Sequence, residues 1–195
     1  MLQRTLHATL VLSLSLLTLA TPLQAAEVAG VHLEEQVKVG DTVLTLNGAG
    51  LRNKFFIKVY AMGLYLPSKT REAAHAIAQS GPKRIQVVTL RDVDAEMFVE
   101  GLTKGIEKNT SPGELTALKL RLNQFTALLK GLDEIQKGSV VTLDLLPSGA
   151  TRLGINSRAI GQDIPGDDFY RALLRIWLGN APAQDDLKQS LLDIR

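Results

Sequence analysis

Arg52 and Tyr60 are the two side chains whose chemistry stands out from their surroundings. Arg52 follows the glycine-rich run Asn47-Gly48-Ala49-Gly50-Leu51, and Tyr60 lies within Lys-Phe-Phe-Ile-Lys-Val-Tyr-Ala-Met-Gly-Leu-Tyr-Leu, residues 54–66. A planar guanidinium stays charged at any ordinary pH and binds a carboxylate through two parallel hydrogen bonds. A phenol adds a neutral donor. At the mouth of an apolar pocket such a pair is suited to hold a carboxylate or a phenolate. The competing assignment for Arg52 is a solvated arginine after a loop, because arginine is mostly exposed in folded proteins.

Other chemical signatures are weak. Gly48-Ala49-Gly50 lacks the third glycine of a dinucleotide loop and leads into a strand rather than a helix, so a turn with positive φ is the expected use of these glycines. His32 and His75 lie on either side of the Arg52 segment in no metal-binding spacing, and both are expected at the surface. The chain shows no P-loop, nucleophile elbow or calcium loop. Asp144 is an isolated strand acid with no sign of glycosidic chemistry. Asp163, Asp167 and Asp168 are placed to complement a helix N-terminus. No metal or cofactor is expected.

The chain has no cysteine, which excludes thiol catalysis, thiolate metal sites and disulfide staples; burial has to supply the stability. Residues 1–25 have the order of a secretory signal peptide: Arg4, an uncharged apolar run over 8–20, then small residues, with cleavage expected after Ala25 or Ala26. The run is shorter than the roughly 18 apolar residues of a membrane span, and no later segment is long and apolar enough to span. The expectation is a single domain over 26–195, exported and periplasmic. Basic and acidic residues number 22 and 20, so neither a nucleic-acid footprint nor a polybasic membrane patch is visible. Nothing in the sequence names a protein partner.

The elements that must position Arg52 and Tyr60 alternate between sheet and helix. Short strands are expected at 28–31 and 36–39, with a Gly40-Asp41 hairpin into 42–46. Residues 54–66 predict a central strand with both faces covered. Thr70 caps a short helix over 71–78, and 84–90 is a strand. Asp92 caps a helix turning Met97, Phe98, Leu102 and Ile106 inward. Ser111-Pro112-Gly113-Glu114 is a capping box opening a helix with Leu115, Leu118, Leu122, Phe125 and Leu129 on one stripe, ended by Gly131. A hairpin joins 139–145 to 151–155, and helices follow over 165–178, with Phe169, Ala172, Leu173, Ile176 and Trp177 on one face, and 185–194. The class is α+β with a mainly antiparallel sheet.

Gly-Ala-Gly-Leu-Arg followed by Lys-Val-Tyr-Ala-Met-Gly-Leu-Tyr-Leu resembles the signature of the chalcone isomerase-like superfamily, with looser agreement elsewhere, including Ile176-Trp177-Leu178-Gly179. The resemblance implies an open-faced sandwich, a large sheet covered by helices with a ligand cleft between the layers. The superfamily holds flavonoid isomerases, plastid fatty-acid-binding proteins and secreted bacterial members. In the isomerases the arginine matching Arg52 contacts substrate; in the fatty-acid-binding branch it joins a tyrosine to hold the carboxylate. Isomerases carry threonine where this chain has Tyr60. They also place a catalytic tyrosine and a substrate-binding asparagine in the region similar to 89–105, where this chain has Phe98 and Gly105.

Cyclising a chalcone needs a proton donor beside the forming enolate as well as an anion clamp. Binding a fatty acid needs an apolar tunnel and one polar anchor. The sequence therefore favours a non-catalytic binder of a small apolar or amphipathic anion, held by Arg52 and Tyr60, with Phe56, Met62, Phe98, Leu118, Leu122 and Phe125 as candidate lining. Ordinary core is the competing role for each of these six. The alternatives are an isomerase (intramolecular lyase) acting on an unknown substrate, and a structural or interaction protein whose cleft is filled.

Overall fold

A computed structural model describes residues 25–132 and 134–194. The expected signal peptide, apart from Ala25, lies outside the described residues. The described residues form eleven strands and five helices in chain order: β1 (Ala26–Val28), β2 (Val31–Leu33), β3 (Gln36–Val39), β4 (Thr42–Lys54), β5 (Ile57–Leu66), α1 (Ala73–Ala78), β6 (Lys83–Thr89), β7 (Val93–Asp94), α2 (Ala95–Lys108), α3 (Pro112–Lys130), β8 (Glu134–Ile135), β9 (Val140–Leu145), β10 (Thr151–Ile155), β11 (Arg158–Ala159), α4 (Asp167–Leu178) and α5 (Asp185–Leu191). The main sheet runs β11-β10-β9-β6-β5-β4-β3 and is antiparallel throughout. No helix among the described residues is long and apolar enough to cross a membrane.

Side-chain alternation along β5 splits the interior in two. Tyr60, Met62, Leu64 and Leu66 face the helices and join the larger core with Leu102, Ile106, Phe125, Phe169, Leu173 and Trp177. Tyr65 faces the other way, into a smaller core with Leu33, Val39, Leu44 and Leu46. The period of two in a strand makes this sorting obligatory once the register is set.

β4 departs from expectation. Its residues 47–52 do not turn. The strand runs on through Gly48 and Gly50, interrupted by a bulge between Leu46 and Gly48. Neither glycine has a positive φ. Their lack of a side chain lets α5 lie directly on the strand: a Cβ at Gly48 would stand 2.6 Å from the Leu191 carbonyl oxygen, and one at Gly50 would stand 2.7 Å from Ser190 Cβ. Close approach of another segment, rather than a turn, requires glycine here.

The strand expected over 54–66 also divides. Its first residues form the tip of the β4–β5 hairpin, where Phe55 and Phe56 are the two loop residues between the paired Lys54 and Ile57. Only from Tyr60 onward is β5 buried continuously.

The helices largely match their start signals, with local corrections. Asp94, not Asp92, caps α2, its carboxylate accepting from the Glu96 and Met97 amides at 2.8 and 3.2 Å. Asp92 instead accepts from the Lys137 amide. Along α2, Val99, Leu102 and Ile106 face inward, while Met97, expected inward, stays 53% exposed. α1 has Glu72 at its N-cap, and Thr70 Oγ1 accepts from the Glu72 amide at 3.1 Å. Ser111 caps α3 and Leu118, Leu122, Phe125 and Leu129 are its buried stripe. Glu114 does not close the capping box; its carboxylate binds Arg175 of α4 at 2.7 Å. That ion pair ties the start of α3 to α4.

Candidate functional site

Arg52 and Tyr60 are direct cross-strand partners, so their side chains share one face of the sheet. A bulge between Arg52 and Asn53 follows immediately, and the tip beyond it is out of step with the rest of the hairpin. The register thus places the guanidinium and the phenol on the side covered by α2 and α4.

Between these layers lies a cleft of about 160 Å³ lined by Arg52, Lys54, Val59, Tyr60, Met97, Phe98, Leu102 and Trp177, together with Val93, Gly101, Ile176 and Ala183. Two cations and a phenol stand among apolar walls. No acidic side chain is present in this lining.

Each polar group has an identifiable support. Arg52 Nη1 donates to the Asn53 carbonyl at 2.8 Å and to Gln184 Oε1 at 3.1 Å. Gln184 Oε1 also accepts from the Asn53 amide at 2.9 Å, and Gln184 Nε2 donates to the Leu51 carbonyl at 3.3 Å. Gln184 precedes α5, so the helix seated on the glycines also fixes the arginine. On the other side, Trp177 Nε1 donates to the Tyr60 hydroxyl at 2.9 Å. Burial raises the Tyr60 pKa above its ordinary value; the Trp177 hydrogen bond and the nearby Arg52 charge oppose that rise. The phenol is neutral at ordinary pH and keeps its proton to donate.

Five of the six other expected lining residues lie elsewhere. Phe98 is in the cleft wall. Phe56 is fully exposed at the hairpin tip, because the chain turns where a continuous strand was expected. Met62, Leu118, Leu122 and Phe125 are packed core outside the cleft lining. Phe125 and Phe169 meet edge to face at 5.5 Å, as core aromatics do. Gly105 is a packing position: a Cβ there would stand 2.8 Å from Ile176 Cγ2, which leaves no room for an asparagine side chain. Gln184 had no sequence signal, and Trp177 had only its expected inward face and its place in the Ile176-Trp177-Leu178-Gly179 resemblance.

A larger hollow of about 550 Å³ lies beside α1 and the ends of α2 and α4. Several of its polar groups are engaged within the protein: Asn109 holds Gly105 and Ala181, Arg175 holds Glu114, and Lys188 holds the Gly179 carbonyl, while Thr110 Oγ1 is buried without a partner among the described residues. Among the cavities, the Arg52 cleft joins apolar walls to donors aimed inward.

Residues 25–193 match the chalcone isomerase-like family. The chain belongs to that family. Among solved structures it is similar to a fatty-acid binding protein of Arabidopsis thaliana, with a TM-score of 0.64 and 19% identity over 84% of this chain and 92% of that one. At that identity the likeness speaks for the fold. No protein with a curated description matches the chain by sequence. The family fold accounts for the large antiparallel sheet with its helical cover and for a cleft between the two.

Proposed function

We propose that the protein is a non-catalytic binder of a small apolar anion, a fatty acid or a related carboxylate, with the carboxylate held between Arg52 and Tyr60. The observation that carries this is the one-sided chemistry of the cleft, which offers a guanidinium, an ammonium and a phenol among apolar side chains and no acid. A carboxylate accepts from both Arg52 and Tyr60, and the walls shelter the adjoining methylenes from water. The fatty-acid binding of the Arabidopsis structure is in line with this chemistry.

The enclosed space of about 160 Å³ is below the roughly 300–1,000 Å³ of sites that engulf a drug-sized ligand. The cleft therefore takes the anionic head and a short apolar stretch, and a longer chain leaves through the mouth past Met97. An isomerase mechanism lacks support from these residues. Phe98 brings no proton to the cleft, and the raised Tyr60 pKa makes that phenol a poorer acid.

The test is native mass spectrometry of the protein purified from its own cell envelope, with extraction of whatever accompanies it. A stoichiometric carboxylate that is absent from Arg52→Ala supports the proposal; an empty wild type that also ignores added fatty acid opposes it. Export belongs to the same proposal, resting on Arg4 and the apolar run 8–20. An N-terminus at Ala26 or Glu27 in the purified protein would support it, and retention of Met1 would oppose it.

A further inference from the structure

Four exposed apolar side chains gather at the hairpin tip and the cleft beside it. Seven large hydrophobic residues are exposed among the described residues. Three of them, Phe55 at 87%, Phe56 at 103% and Ile57 at 51%, follow Lys54 of the cleft wall, and a fourth, Met97 at 53%, lines the cleft itself. The backbone at this tip is not optimised for turning. Phe55 has φ 56°, a region that favours glycine or asparagine, yet it carries an aromatic ring. Strain retained at an exposed aromatic tip points to a use outside the fold.

The flanking charges are cationic. Lys54 and Lys58 bracket the three apolar residues, and Arg52 lies just behind them. None of the three forms an ion pair among the described residues. The acids on the facing turn of α2 already have partners: Glu100 is paired with Lys104, and Glu96 is 3.9 Å from Lys130.

We propose that the hairpin tip, residues 54–58, docks the protein on an anionic lipid bilayer. Phe55, Phe56 and Ile57 enter the boundary between headgroups and acyl chains, and Lys54 and Lys58 lie against the anionic headgroups. A projecting tip with a few apolar side chains between cations suits a soft, charged interface. A protein partner of ordinary stability needs a broader surface, about 800 Å² on each side. Docking at this point turns the mouth of the cleft toward the lipid. Docking through residues 54–58 goes beyond carboxylate binding and does not require it, so the two stand or fall separately.

The experiment uses residues 26–195, which contain the whole described fold apart from Ala25 and omit the apolar run that would itself bind lipid. Wild type, Phe55→Ser/Phe56→Ser and Lys58→Glu are sedimented with vesicles of equal phosphatidylglycerol and phosphatidylcholine, and with phosphatidylcholine alone. Wild type is expected to pellet with the anionic vesicles and to be released by raised salt. The double serine variant is expected to bind about tenfold more weakly or worse, and Lys58→Glu to lose the preference for anionic lipid. Unchanged circular dichroism would show that the exposed substitutions leave the fold intact. Wild type remaining in the supernatant, or a double variant pelleting equally well, would overturn the proposal. So would a wild-type dimer that becomes monomeric in the double variant without any vesicle binding, since the tip would then be a protein contact.

Discussion

The indole N–H of Trp177 donates to the Tyr60 hydroxyl across 2.9 Å, deep between α4 and β5. An indole can only donate, so the Tyr60 oxygen must accept, and the phenol's own hydrogen remains available to a third group. Beside it, Arg52 is held by Gln184. Two donors are thereby prepared on one face of the sheet before any ligand arrives, which reduces the ordering cost of binding.

Tyr60→Phe should therefore have two effects. Loss of a hydrogen bond to a carboxylate is expected to weaken ligand binding by about 1–2 kcal/mol, and the Trp177 N–H left buried without an acceptor is expected to cost about 1–3 kcal/mol of stability. Ligand titration and urea denaturation measure the two separately. A variant as stable as wild type would show that the Trp177 contact is not maintained in solution.

Gly50→Ala probes the seat of α5. The added methyl would stand 2.7 Å from Ser190 Cβ and 2.8 Å from Leu187 Cδ1. Overpacking of this kind costs about 1–3 kcal/mol. Because Gln184 leads into α5, ligand affinity should fall together with the urea midpoint. A loss of stability with fully retained affinity would separate the helix from the arginine.

Lys83 provides a pH signature. It is 1% exposed, and its ammonium donates to the Gln79 carbonyl. Burial, with a smaller contribution from the nearby Arg171 charge, pushes its pKa down to about 8. The unfolded chain keeps this lysine protonated to higher pH, so it binds more protons than the native state between about 8 and 10.5. The Lys83 contribution to stability should accordingly rise with pH across that window. Above about pH 10 the tyrosines act in the opposite sense: burial raises Tyr60 and Tyr170 and pushes Tyr65 up to about 12, so the unfolded chain ionises first and stability falls. Chemical denaturation from pH 7 to 11 should show the rise and then the fall, and Lys83→Met should abolish the rise alone.

How much was legible in the sequence depended on how far away the decisive contact lies. The start and buried stripe of α3 could be read because Ser111, Pro112 and the three-four spacing of Leu118, Leu122, Phe125 and Leu129 are local, whereas the Glu114 contact to Arg175 of α4 is not. Gly48 and Gly50 could not. Glycines in a turn and glycines beneath a packed helix look alike until α5, from the far end of the chain, is placed on them. The hairpin tip was hidden for the opposite reason, since Phe55 and Phe56 carry strand chemistry in a turn. Arg52 and Tyr60 were recognisable as candidates, but their common face is set by the strand register and the bulge that follows it. Gln184 and Trp177, which hold them, come from distant segments whose local sequence gives no hint of that duty.

Titration of a medium-chain fatty acid such as decanoate into wild type and Arg52→Ala, followed by isothermal calorimetry, tests most directly whether Arg52 anchors an apolar anion. Wild type should bind, and the variant should lose at least about 2 kcal/mol, or roughly thirtyfold, as expected for a lost charge-assisted hydrogen bond, with its urea midpoint close to that of wild type. Equal affinity in the two proteins, or no binding to wild type at all, would contradict the assignment of Arg52 as the anchor.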